Sequence, residues 1–248
     1  MSARLTSGAV TQFAVLDALL AGVFSQGSPV ADVRAAGDTG VGCCEGLGGE
    51  VVIVDGAVYE CTADGPPRLM AEEELLPFVD VCFFGDAIET SVSDLDLPGL
   101  DTAVQQGLLS RNLFHAVRVD GTIARVLTRV PRPQRPPFRP LAEVAAEQIE
   151  TTTLDCPGSL VGFWMPRIYQ GITVAGLHLH FLSDDRSIGG HVLDLRIGEA
   201  RLRVSAFADL HLRLPREGEF LSTELTHDDD RRIVAVEGRS ASRSSPPE

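Results

Sequence analysis

Gly176-Leu-His-Leu-His-Phe-Leu-Ser-Asp-Asp-Arg-Ser-Ile-Gly-Gly-His191 decides how this chain reads. His178 and His180 lie two apart in a run rich in Leu and Phe. On a strand both imidazoles therefore leave the same face, about 6.6 Å apart along the chain direction. The polar turn from Ser183 to Gly190 returns the chain antiparallel, and His191 enters the next strand as a third nitrogen. Three histidines with an open fourth position describe a catalytic zinc or a similar transition metal rather than a closed structural site. Paired histidines on a half-exposed strand are also ordinary surface residues, so spacing alone leaves both readings open. His115, His211 and His227 carry no such pattern and read as structural or surface residues.

Outward from this hairpin, the chain is punctuated by turns. Glu50–Val54 and Ala57–Thr62 flank Asp55-Gly56, the dipeptide most typical of a tight hairpin. Phe78–Phe84 reads as a strand. Leu113–Val119 and Thr122–Val130 flank Asp120-Gly121 and read as a second hairpin. In the C-terminal half, Ser159–Trp164, Thr173–Leu182, His191–Ile197, Ala200–Phe207 and Ile233–Val236 read as strands. Helices are few: an amphipathic one across Phe13–Phe24, one over Pro98–Ser110 and a short one over Leu141–Ile149.

Pro131, Pro133, Pro136, Pro137 and Pro140 interrupt regular pairing. The predicted architecture is α+β, with two sheet-containing lobes of mixed or antiparallel strands and the three-histidine site in the C-terminal half, between the lobes or on the second. The expected divisions are an N-terminal lobe over 1–130, a proline-rich connection with a short helix over 131–150, a β-rich metal-binding lobe over 151–238, and a tail over 239–248. Gly37-Asp-Thr-Gly-Val-Gly42 reads as a turn lining the site.

Composition narrows the chemistry. The 248 residues carry 21 basic against 35 acidic side chains, a formal charge of −14, which disfavours nucleic acid and anionic membrane surfaces as partners. Every basic residue is arginine. A phosphate loop of the Walker type, a pyridoxal Schiff base and an amine-catalysed decarboxylation all need a lysine, so these are excluded. Five cysteines, with no Cys-x-x-Cys pair, predict a reduced, cytoplasmic chain. No run approaches the roughly 18 apolar residues of a membrane span.

Gly162-Phe-Trp-Met-Pro166 followed by His178 through Asp194 resembles the α-acetolactate decarboxylase family. Leu16-Asp-Ala-Leu-Leu-Ala-Gly-Val23, Gly37-Asp38, Gly49-Glu50, Asp55-Gly-Ala-Val-Tyr59, Pro77-Phe78, Asn112-Leu-Phe114 and Thr128-Arg129 agree in the same order, so the resemblance runs from about Thr11 to Gly238. It implies a zinc enzyme, a carboxy-lyase of acetoin biosynthesis in the butanediol pathway. Its small-molecule substrate is 2-acetolactate, its products acetoin and CO2, and its assembly a homodimer. It places the Zn2+ ligands on His178, His180 and His191, the essential arginine on Arg129 and the active-site glutamates on Glu50 and Glu237. These assignments suit the chemistry. Loss of CO2 from a β-keto acid leaves an electron pair, and a chain without lysine has no iminium to receive it, so a metal-stabilised enediolate takes that place. Arg129 would hold the substrate carboxylate and a glutamate would protonate the enediolate carbon from one face.

The chain departs from the family pattern at Gly42-Cys43-Cys44, where a threonine and an aromatic are usual, and at Gly48-Gly49-Glu50, where Asp-Gly-Glu is usual. Cys43 brings a softer, oxidisable group to the expected site, and Gly48 loosens the support of Glu50. Two other readings stand beside this one: a different histidine–metal enzyme, such as a cupin-like oxygenase or a hydrolase, and a catalytically silent metal-binding relative.

Overall fold

The Asp55-Gly56 turn forms as its sequence requires: φ is +51° at Asp55 and +77° at Gly56, the left-handed pair of a turn whose twist matches the flanking strands. In the computed structural model, which describes residues 5–225, this hairpin supplies the fifth and sixth of the seven strands of the larger of two main sheets. In chain order the strands are β1 (Ala9–Phe13), β2 (Ser28–Pro29), β3 (Thr39–Cys43), β4 (Glu50–Val54), β5 (Ala57–Cys61), β6 (Arg68–Leu69), β7 (Leu75–Leu76), β8 (Phe78–Cys82), β9 (Ile88–Ser93), β10 (Phe114–Val130), β11 (Ile149–Met165), β12 (Gly176–Ser183), β13 (Gly189–Phe207) and β14 (Asp209–Arg213). The helices are α1 (Leu16–Leu20), α2 (Val30–Arg34), α3 (Leu97–Gly107) and α4 (Leu141–Ala145). The fold class is α+β, built mostly of strands.

One sheet has seven strands in the order β14-β1-β8-β3-β4-β5-β6. All its pairs are antiparallel except β1 with β14. The other has the order β10-β11-β12-β13-β9, and β10 also pairs with β13, so its four long strands close into a ring. The ring encloses an apolar core of Val117, Val119, Ile123, Leu160, Leu179, Phe181, Leu195 and Leu202. A second core, with Val41, Val52 and Cys61 from the seven-stranded sheet and Val161, Phe163 and Leu182 from the ring, lies between the sheets. Because side chains alternate along a strand, β12 sends Leu179 and Phe181 inward and His178 and His180 out toward the other sheet.

Three expectations are corrected. Asp120-Gly121 makes no turn, because β10 runs unbroken through it. Asp120 is held within the strand by Ser159, Arg118 and Arg203. A Cβ at Gly121 would collide with the β13 backbone at Glu199 and Ala200, so this glycine serves close approach rather than reversal. Similarly, the helix expected across Phe13–Phe24 shrinks to Leu16–Leu20, since Phe13 already belongs to β1. The stretch Gly37–Gly42, expected as a turn, instead feeds β3.

The sheets do not divide at the prolines. Residues 131–148 join β10 to β11, which are hydrogen-bonded neighbours in one sheet; the chain changes sheet between Cys82 and Ile88 and returns to the first sheet between Phe207 and Asp209. The expected strand Ile233–Val236, Glu237 and the tail 239–248 lie outside the described residues. No helix among the described residues is long and apolar enough to cross a membrane.

Candidate metal centre

Pairing of β12 with β13 sets His180 directly opposite His191, and β12 carries His178 two residues earlier on the same face. The three rings converge. His178 Nε2 lies 3.1 Å from His191 Nδ1 and 3.2 Å from His180 Nε2, and all three residues are buried. Three imidazoles bound to one tetrahedral zinc at 2.0–2.1 Å would hold their nitrogens about 3.3 Å apart. Both separations from His178 are close to that spacing, and the three ligand atoms all lie within 4.8 Å of one another, so the donor set fits such an ion.

His180 is oriented from the opposite sheet, since its Nδ1–H donates to the Val51 carbonyl at 2.8 Å. That bond leaves the lone pair on Nε2, the nitrogen aimed at its partners, as is typical of metal-binding histidines. Burial, reinforced by His178 and Arg129, holds His180 well below the usual imidazole range. Burial and then Arg129 do the same for His191. Both rings are neutral near pH 7, the state that binds metal.

Glu50 opens β4 and reaches across the gap between sheets, its Oε2 3.6 Å from His180 Nε2. Arg129, near the end of β10, is the cross-strand neighbour of His191. It is 5% exposed, and one of its Nη1 hydrogens goes to Gln148 Oε1 at 3.2 Å. Glycines allow this crowding. A Cβ at Gly162 would strike the His178 carbonyl, and one at Gly190 would strike the Arg129 carbonyl.

Glu50, Arg129 and the three histidines border one cavity, with Cys43 and Gly42 beside them and an apolar wall of Leu16, Leu19, Phe78, Leu141, Ala145 and Val174. Of the candidate site residues read from the sequence, Glu237 lies outside the described part. Sequence reasoning missed Gln148 and the wall, because α1, α4 and Val174 meet only in the folded chain. The 3.6-residue spacing of Leu16, Leu19 and Leu20 signals a buried face but not what it faces.

The sequence model described as "Alpha-acetolactate decarboxylase" matches residues 10–227 of this chain. A protein of that name from Methanosarcina mazei is 38% identical over 224 residues, covering 88% of this chain and 76% of its own. One from Bacillus licheniformis is 32% identical over 231 residues, covering 92% and 91%. The crystal structure of alpha-acetolactate decarboxylase from Bacillus subtilis strain 168 superposes with a TM-score of 0.91 at 30% identity, over 93% of this chain and all of that one.

Proposed function

The chain belongs to the alpha-acetolactate decarboxylase family of enzymes, and from that premise we propose that it converts 2-acetolactate to acetoin and CO2 with a zinc ion held by His178, His180 and His191. The observation that carries the metal reading is the convergence of three buried imidazoles, with His178 Nε2 3.1 Å from His191 Nδ1 and 3.2 Å from His180 Nε2. Bound there, zinc supplies Lewis acidity for the charge left when CO2 departs from a β-keto acid.

The protein's own groups do the rest. Arg129, planar and permanently charged, binds the substrate carboxylate through two parallel N–H bonds and sets which bond to carbon is broken. Its link to Gln148 fixes the guanidinium plane. Glu50, at the cavity edge and close to His180, delivers a proton to the substrate carbon from its Oε2, and delivery from one side makes the product chiral. Glu237 is the second glutamate of this scheme. The apolar wall keeps water from competing for the developing charge and seats the substrate's methyl groups. We place the enzyme as a homodimer in the cytoplasm, on the family resemblance and on five cysteines without a Cys-x-x-Cys pair.

The test is acetoin release from racemic 2-acetolactate by the purified protein before chelation, after chelation and after zinc is restored, with His178→Ala in parallel. Release that disappears on chelation, returns with zinc and is absent from the variant is expected. A folded, zinc-loaded protein that makes no acetoin would overturn the proposal.

A further inference from the structure

Cys61 stands between the two halves of the site. On β5 it is the direct cross-strand neighbour of Glu50, and it is 1% exposed. On its other side its sulfur occupies the space that a Cβ at Gly189 would need. Gly189 begins β13, two residues before His191, and is paired with Leu182 of β12. The sulfur is thus a peg from the seven-stranded sheet seated in a hollow of the ring, at the point where the chain turns into a proposed ligand. Burial, then the charge of Glu50, pushes the thiol well up, so the peg is a neutral, polarisable S–H.

The neighbouring backbone leaves this segment little freedom. Gly190, with φ +144°, lies so close to the Arg129 carbonyl that a side chain there would not fit. Gly189-Gly190 is therefore held between Arg129 of β10 and Cys61 of β5, and any change in the thickness of the peg moves the start of β13. His191 moves with it.

We infer that Cys61 is a positioning residue whose sulfur, seated in the hollow of Gly189, sets the distance between the sheets and so holds His191 in register with His178, His180 and Glu50. This rests on the reading of the three histidines as metal ligands. The volumes make it testable by exchange: a methyl at 189 and a sulfur at 61 compete for one space, so either alone is accommodated and both together are not.

The experiment compares wild type, Gly189→Ala, Cys61→Ala and the double variant Gly189→Ala/Cys61→Ala. The readouts are zinc affinity by competition with a chromogenic chelator, the visible absorption spectrum of the cobalt(II)-substituted proteins, and Tm. Gly189→Ala is expected to weaken zinc binding by about tenfold or more, the usual cost of displacing the support of a metal ligand, and to alter the cobalt spectrum. The double variant is expected to return affinity to within about threefold of wild type, because the new methyl fills the place of the lost sulfur. Cys61→Ala removes bulk without adding any and keeps the test open should Gly189→Ala fail to fold. It is expected to bind zinc several-fold more weakly. Zinc affinity and cobalt spectra that match wild type in Gly189→Ala or Cys61→Ala, with only Tm changed, would overturn the inference. Failure of the wild-type protein to bind zinc would instead overturn the metal reading on which it rests.

Discussion

His180 owes its chemistry to a residue 129 positions earlier. The Val51 carbonyl fixes which imidazole nitrogen carries the proton, so the ring's tautomer is decided by the opposite sheet rather than by its own strand. The histidines themselves were legible as residues, because two-residue spacing on a strand puts rings on one face. Glu50 and Arg129 were legible only through resemblance, since a carboxylate at a strand start and an arginine at a strand end are ordinary in themselves. Gln148 carried no signal, because its partner lies across a proline-rich connection. For Arg129 the planar fork is what matters. Arg129→Lys keeps the charge but loses the paired bonds, and should lower kcat/KM for 2-acetolactate by about 10- to 100-fold, the worth of a charge-assisted hydrogen bond. Steady-state kinetics decide this, and an unchanged kcat/KM would remove Arg129 from carboxylate binding.

At the scale of elements, local turn chemistry was readable where the backbone obeys it and misleading where packing overrides it. Asp55-Gly56 and Asp120-Gly121 are the same dipeptide in two different structures. The first has positive φ at both residues. The second lies mid-strand, its aspartate neutralised by arginines and its glycine packed against β13. Nothing within either dipeptide separates the two cases; the arginines and the neighbouring strand do. Gly56 has open space around its Cβ position, so Gly56→Ala meets no clash and pays only for the left-handed backbone, about 1–2 kcal/mol. A lower urea midpoint with unchanged slope is the expected result, whereas an unchanged midpoint would argue against the turn as described. The long strands β10 and β13 each read as two pieces, β10 because Asp120-Gly121 carries a turn signal and β13 because the register shifts at Gly198 and breaks the alternation that marks a single strand.

Across the whole molecule, two buried groups outside the candidate metal centre pull stability in opposite directions as pH changes. Asp80, 1% exposed, faces Gln12 on β1 and Val41 on β3, neither of them charged. Cys82, on its own strand, is the titratable group that senses it. Burial pushes the Asp80 carboxyl up to about 8, against about 3.9 in an unfolded chain. As pH rises above about 4 the unfolded state ionises first, and stability falls by about 1.4 kcal/mol per pH unit until about pH 8. His115 works in the other direction. Burial lowers it to about 4, so its contribution is present above about pH 6.5 and is lost as pH falls toward 4. The two slopes oppose each other between about pH 4 and 6.5, and from 6.5 to 8 only that of Asp80 remains. Urea denaturation in half-unit steps should show Asp80→Asn flattening the decline above pH 6.5. Parallel curves for variant and wild type would show that Asp80 is already ionised in the fold.

The proposed metal ligands fall within fourteen consecutive residues, 178–191, whereas the apolar wall is drawn from four separate stretches of the chain. The proposed metal ligands and the wall are therefore encoded in separate parts of the chain. Substitutions at Leu16, Leu141 or Val174 can thus reshape the cavity while leaving 178–191 untouched.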